Sequence, residues 1–326
     1  MPSHSIRLRG LAWLLALTVN GCVFITGDIN PFSQRTQPLE ERAVSGSGDK
    51  KVLLMDLSGV ITSEERGDAF GLRRDESTVA RVEAELAAAA DDDDVVAVVV
   101  RINSPGGTVT ASDIIYERLM RFKAERNTPV IVQMMDVAAS GGYYSALAGD
   151  EIVASPTTVT GSIGVIFTSV SAEGLMDKIG VRNQTVTSGK MKDIGSPLKT
   201  MTPAERQVLE SLVGDMQERF VGLVLQRRPS LTAQMKTEMV DGRVFSADQA
   251  LAGGLVDGIG YLDSTIERAK QRAGVSEATV IRYRRPDEYA DGLYSRSGLG
   301  APQLNVFNIT LDTLPRTPSF LYLWTP

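Results

Sequence analysis

The chain has 326 residues, 43% of them hydrophobic and 23% charged, which is enough apolar material for a sizeable core. Its net charge of −6 and pI near 5.1 exclude the basic face that a nucleic-acid partner requires. With one histidine, His4, and one cysteine, Cys22, no internal disulfide and no Cys/His metal cluster can form. No cofactor and no metal are expected.

Near the N-terminus, Arg7 and Arg9 precede an apolar run of nine residues, LAWLLALTV (11–19). A bilayer-spanning helix needs roughly 20 apolar residues, so the run reads as the core of an export signal. It ends in VNGC (19–22), which resembles a bacterial lipoprotein signal: residues 1–21 would be removed and Cys22 lipidated as the new N-terminus. An uncleaved anchor continuing through Val23 to Ile25 is the alternative. Either reading holds the bulk of the chain at the extracytoplasmic face of the cell membrane. The first also removes His4. A Ser-His-Asp triad or a Cys-His dyad is therefore excluded.

Residues 22–51 read as a tether, polar from residue 32 and rich in Gly and Ser toward the end. A strand–helix rhythm begins at Val52. VLLMDLSGVI (52–61) is a buried-strand run, and residues 78–90 place Val79, Val82 and Leu86 at helical spacing. The acidic run 91–94 reads as a solvated loop, because adjacent carboxylates on one short loop cannot all converge on one ion. VVAVVVRI (95–102) is apolar and β-branched, as in a strand covered on both faces. NSPGG (103–107) is a turn, followed by a helix with Ile114, Ile115, Leu119 and Phe122 inward. PVIVQMM (129–135) is the next strand, and Ser140 follows it at the start of a helix over 141–148.

Further along, Thr202 and Glu205 form a capping box with Pro203 at the first helical position. Leu209, Leu212, Val213, Met216, Phe220 and Val224 then make one apolar stripe. This alternation predicts an α/β domain of βαβ units over 52–285, with a mostly parallel sheet. Residues 286–326 read as an irregular tail with short apolar pieces, LNVFNITL (304–311) and SFLYLW (319–324).

Two glycine-rich turns, NSPGG and ASGG (139–142), follow two successive buried strands. In parallel sheets such strand ends lie side by side, and ligands bind there. Glycine lets backbone N–H groups face a ligand without an intervening Cβ. One N–H from each turn would hold an oxyanion, and Ser140 would supply a nucleophile for acyl transfer. With histidine excluded, the base best matched to a serine hydroxyl is a neutral lysine. Lowering a lysine pKa from about 10.4 to 7–8 takes roughly 3–5 kcal/mol of desolvation or charge repulsion. TVTSGKMKDIGSPLK (185–199) offers Lys190, Lys192 and Lys199 among small and apolar neighbours, and spacing alone does not choose among them.

Five motifs in order, RINSPGG, ASGGYY, TGSIGV, SGKMKDIGSP and DGRVF…GGLVDGIG, resemble the signal peptide peptidase A family of serine peptidases over about residues 52–273. The resemblance implies the Clp protease/crotonase-like fold of repeated βαβ units and a Ser–Lys dyad. It places the nucleophile at Ser140, the base at Lys192, the oxyanion donors at Gly107 and Gly141, and a lysine-orienting hydroxyl at Ser162. Asp193 would raise the lysine pKa if it faced Lys192, so its carboxylate is expected to point away along an extended segment. The resemblance further implies a homo-oligomer, in some members with serine and lysine from neighbouring subunits. Its implied substrates are peptides with apolar segments, such as signal-peptide remnants or membrane-protein fragments. A crotonase-like acyl-transfer enzyme and a catalytically silent peptide-binding lipoprotein are the alternatives.

Overall fold

The computed structural model describes residues 38–67, 74–286, 292–295 and 320–324. The expected signal, with Cys22 and its lipidation, lies outside these residues, as does the apolar piece at 304–311. The described residues form one compact unit.

The chain opens with strands β1 (Glu40–Gly46) and β2 (Lys51–Ser58), then a short antiparallel pair, β3 (Arg66–Gly67) and β4 (Arg74–Asp75). Helix α1 (Thr78–Ala90) starts at Ser77, whose hydroxyl accepts from the Ala80 N–H at 3.1 Å. Then come β5 (Val95–Ser104), β6 (Gly106–Thr108), α2 (Val109–Arg126), β7 (Val130–Ala139) and α3 (Gly141–Ala146). Short elements follow: β8 (Glu151–Ala154), β9 (Val159–Gly161), β10 (Ile166–Phe167) and α4 (Glu173–Lys178). The long α5 (Pro203–Arg227) leads into α6 (Ala233–Glu238), β11 (Val244–Ser246), α7 (Ala247–Gly253) and β12 (Gly258–Ile259). Helix α8 (Leu262–Arg272), β13 (Thr279–Arg284) and β14 (Phe320–Leu323) complete the described elements.

The main sheet runs β1-β13-β2-β5-β7-β8-β12, with β9 beside β7 and β11 beside β9. Only β1 on β13 and β11 on β9 are antiparallel; the other pairings are parallel. Both faces are covered. Leu53, Met55 and Leu57 meet Val82 and Ile115 on one side, while Val52, Leu54, Ala97 and Val99 meet Leu262 and Ile266 of α8 on the other. That double burial is why β2 and β5 are apolar without alternation. In the acidic loop, Asp92, Asp93 and Asp94 meet Lys51, Arg126 and Lys50 respectively.

Two strands arise in the segments expected to be tether and irregular tail. Residues 40–46 of the expected tether pair with β13, from Glu40↔Arg284 to Gly46↔Thr279. An edge strand is stabilised by backbone hydrogen bonds and has little to bury, so EERAVSG carries no apolar pattern. Residues 320–323 of the expected irregular tail form β14, in a second small sheet ordered β10-β14-β6.

The capping box of α5 is present, with Glu205 bonding the Thr202 N–H at 2.9 Å. Of its stripe, Leu209, Phe220 and Val224 are buried, Val213 and Met216 are half-buried, and Leu212 is exposed. Helix α5 meets the domain along part of its length. Its contacts include Gln217 on the Ile163 carbonyl (3.1 Å) and Arg227 on the Leu147 carbonyl (2.9 Å).

Candidate active site

Strands β5 and β7 end beside one another, with Ser104 paired to Ala138. The two glycine turns that follow are therefore neighbours. Ser140 joins β7 to α3 with φ 52° and ψ −116°, a backbone conformation rarely adopted by a side-chain-bearing residue. Hydrogen bonds on both sides hold it there: its N–H donates to the Gly161 carbonyl (2.7 Å), and its carbonyl accepts from the Tyr144 N–H (2.8 Å). The residue is 1% exposed, and its Oγ has no hydrogen-bond partner among the described residues. A buried hydroxyl left unbonded is unfavourable by about 1–3 kcal/mol, so this group does not add to the stability of the fold.

Gly107 and Gly141 pack with no room for side chains. A Cβ on Gly107 would stand 1.9 Å from the Ile61 carbonyl oxygen. One on Gly141 would stand 2.3 Å from Ser112 Oγ and 3.1 Å from the Gly107 nitrogen. The structure thus brings Ser140, Gly107 and Gly141 together. Ser162, 8% exposed with φ 49°, follows the Gly161 carbonyl that holds the Ser140 turn, and its N–H bonds to the Arg243 carbonyl at 2.8 Å.

Lys192 is not brought to Ser140 within one chain. It is exposed, in a run of turns where its N–H bonds to the Gly189 carbonyl (3.0 Å). Lys190 is likewise exposed. Lys199 is committed elsewhere: its ammonium bonds Asp193 (2.6 Å) and Glu205 (2.5 Å). Those carboxylates, Asp193 first, hold it above the ordinary lysine range, so it is a charged tie rather than a base. The Asp193 carboxylate is turned to Lys199 and not to Lys192, as expected. The reason differs from the expected one: the segment is a succession of turns, and a competing cation takes the carboxylate.

The sequence reading missed an aromatic cluster beside the serine. Tyr144, three residues into α3, packs against Phe220 of α5 (5.0 Å between centroids) and Tyr322 of β14 (5.2 Å). Its hydroxyl bonds Asp113 at 2.6 Å, and that of Tyr143 bonds the Leu255 carbonyl at 2.8 Å. Burial pushes both phenols up, so they stay neutral donors. The YY of ASGGYY was visible in the sequence; its partners are about 80 and 180 residues away, beyond any local pattern.

Comparison with known proteins gives consistent similarities. The profile of Peptidase family S49 matches residues 123–276, and that of Clp protease matches residues 64–159. The chain is 33% identical over 260 residues to a putative signal peptide peptidase SppA of Enterococcus faecium, covering 80% of this chain and 74% of that protein. It is 35% identical over 212 residues to the chloroplastic serine protease SPPA of Arabidopsis thaliana, covering 64% of this chain and 31% of that one. Protease 4 of Salmonella typhi is 35% identical over 180 residues, 55% of this chain and 29% of that protein.

Proposed function

The chain belongs to peptidase family S49, with a Clp protease-like fold, and is a serine peptidase; from that premise we propose that it cleaves peptides through a Ser140–Lys192 dyad. The observation that carries the proposal is the buried, unbonded Ser140 Oγ, held at a strained turn between two glycine backbones. In the first step Ser140 Oγ attacks the peptide carbonyl carbon as its proton passes to the Lys192 amine. The N–H groups of Gly107 and Gly141 face the oxygen that becomes negative. Collapse breaks the C–N bond, with the lysine proton leaving on the amine. Water, deprotonated by the same lysine, then attacks the acyl carbon; the bond to Ser140 Oγ breaks and the lysine returns the proton to that oxygen. Ser162 orients the lysine.

Lys192 reaches Ser140 of a second copy in this reading. The segment around it exposes Val170, Leu175, Ile179, Val181, Val186 and Met191. Such an apolar surface is normal for an interface and unusual for a free face. The predicted result is complementation in a mixture of two inactive variants, Ser140→Ala and Lys192→Ala. In a ring with randomly mixed subunits, one site in four joins an intact serine to an intact lysine, so mixing should restore about a quarter of the wild-type rate. A mixture as inactive as its parts would place both residues in one chain. Lys192→Arg should be as inactive as Lys192→Ala, because a guanidinium does not give up its proton.

A lipid or an uncleaved anchor near Cys22 would hold the enzyme at the extracytoplasmic face of the membrane, close to signal-peptide remnants and membrane-protein fragments. Among the described residues no helix is long and apolar enough to cross a membrane. The intact mass of the mature chain tests the anchor directly: a lipid-modified N-terminal Cys22 is expected.

A further inference from the structure

Lys192 and Asp193 are sequence neighbours of opposite charge, and the proposed reaction needs the first uncharged. An opposite charge within about 4–6 Å favours the charged form of a lysine. The lysine stem is four carbons long and flexible, so an unoccupied Asp193 carboxylate would have the Lys192 ammonium within reach. Lys199 occupies that carboxylate. Its ammonium bonds Asp193 Oδ1 at 2.6 Å and Glu205 Oε1 at 2.5 Å, so one cation joins the turns that carry Lys192 to the start of α5.

The α5 end of this tie is fixed. Glu205 is 2% exposed, and its other oxygen accepts from the Thr202 N–H (2.9 Å) and the Thr202 hydroxyl (3.0 Å). Lys199 first, then Thr202, hold the Glu205 carboxyl below the usual range, so it stays an anion for Lys199 to meet. The turns themselves are held at several points. The Ser169 hydroxyl donates to the Gly195 carbonyl (3.2 Å), and the Ala172 N–H donates to the Pro197 carbonyl (2.7 Å). From α4, the Glu173 carboxylate accepts the Thr200 N–H at 2.7 Å, and bonds from Thr200 hold that carboxyl low as well. Among the described residues, the charged groups around Lys192 are thus Lys190, Asp193 and Lys199 on its own segment, Glu173 on α4 and Glu205 on α5. Each of the three carboxylates already has a partner.

Resting on the Ser140–Lys192 reading, we infer that Lys199 is a positioning residue for Lys192: it holds the Asp193 carboxylate against α5 and away from the Lys192 ammonium, which leaves Lys192 able to give up its proton. Glu205 belongs to the same device, because it fixes where the Lys199 ammonium stands.

The test follows the rate at which a fluorophosphonate labels Ser140 in the full-length chain, from about pH 6 to 10. In Lys199→Met the freed Asp193 carboxylate favours the charged lysine. The rising limb of the profile should therefore move to higher pH by about one unit, a rate about tenfold slower on that limb, with the plateau above it nearly that of the parent. Lys199→Gln keeps a hydrogen-bond donor for Glu205 without the charge; it should move the limb the same way, and it decides the matter if the methionine variant does not fold. Lys199→Arg keeps the cation and should keep the parent profile. Lys199→Met/Asp193→Asn and Lys199→Gln/Asp193→Asn have no carboxylate to free, so the limb should return to its parent position although the tie to α5 is still broken. A merely structural role would slow single and double variants alike at every pH. An unmoved limb in the single variants overturns the inference, as does a double variant that keeps the shift of its single parent. Failure of the Ser–Lys reading would show separately, as a Lys192→Ala chain labelled as fast as the parent.

Discussion

Ser140→Ala is expected to lower kcat by about 10⁴- to 10⁶-fold, the range seen when an activated serine is removed from a site whose oxyanion donors remain. The fold should not suffer. Among the described residues the buried Oγ meets no hydrogen-bond partner, so its loss removes an unsatisfied polar atom and leaves the Gly161 and Tyr144 backbone bonds in place. A thermal midpoint equal to or slightly above that of the parent is the expected companion result, with stability changed by no more than about 1 kcal/mol. Steady-state hydrolysis of a fluorogenic peptide and a calorimetric scan measure both. Retention of even a hundredth of the parent activity would assign the nucleophile elsewhere. Activity and stability moving in opposite directions would mark Ser140 as a residue kept at some expense to the fold.

The largest effect on stability is expected at Asp56, a residue given no part in the proposed chemistry. It sits on β2, 5% exposed, and its carboxylate is shared by two arginines buried on neighbouring strands. Arg101 of β5 grips it with two bonds (2.6 and 2.9 Å), and Arg282 of β13 bonds its Oδ2. The same guanidiniums bond the Ser295 carbonyl at 2.8 and 3.1 Å, and Arg101 also bonds that of Leu293, which fixes residues 292–295 to the sheet. Burial holds Arg282 down at about 10. Asp56→Ala leaves both cations buried without their carboxylate, which destabilises by about 3–5 kcal/mol. Chemical denaturation at constant slope should show that loss. A change below 1 kcal/mol would mean that water reaches the cluster and replaces the carboxylate.

The same contrast separates what was legible in the sequence from what was not. The parallel sheet was legible because β2, β5 and β7 are buried on both faces and are apolar along most of their length, Asp56, Arg101 and Gln133 being the buried exceptions, a pattern contained in each strand alone. The turn at Ser140 was legible because close backbone approach demands glycine, and glycine is visible in one dimension. The α5 capping box was legible because a helix start is a four-residue affair. Strand β1 was not, since its hydrogen bonds to β13 come from the backbone, and its side chains are free to be charged. The Asp56 cluster was not, since nothing local distinguishes a carboxylate that will meet Arg101 and Arg282 from one that will meet water.

The sequence by itself determined the chemistry available: a serine, Ser140, at a glycine turn, no histidine downstream of His4, and therefore a base of another kind. It determined this because residue identity sets which protons can move. Only the tertiary structure decided which groups meet. It gave the Asp193 carboxylate to Lys199, left Lys192 on an apolar surface away from its own Ser140, and laid Tyr322 from the end of the chain against Gly106, Gly107 and Gly141. The physical reason is that these meetings are fixed by burial and backbone pairing across long stretches of chain, and such pairings leave no periodic trace in the segments they join.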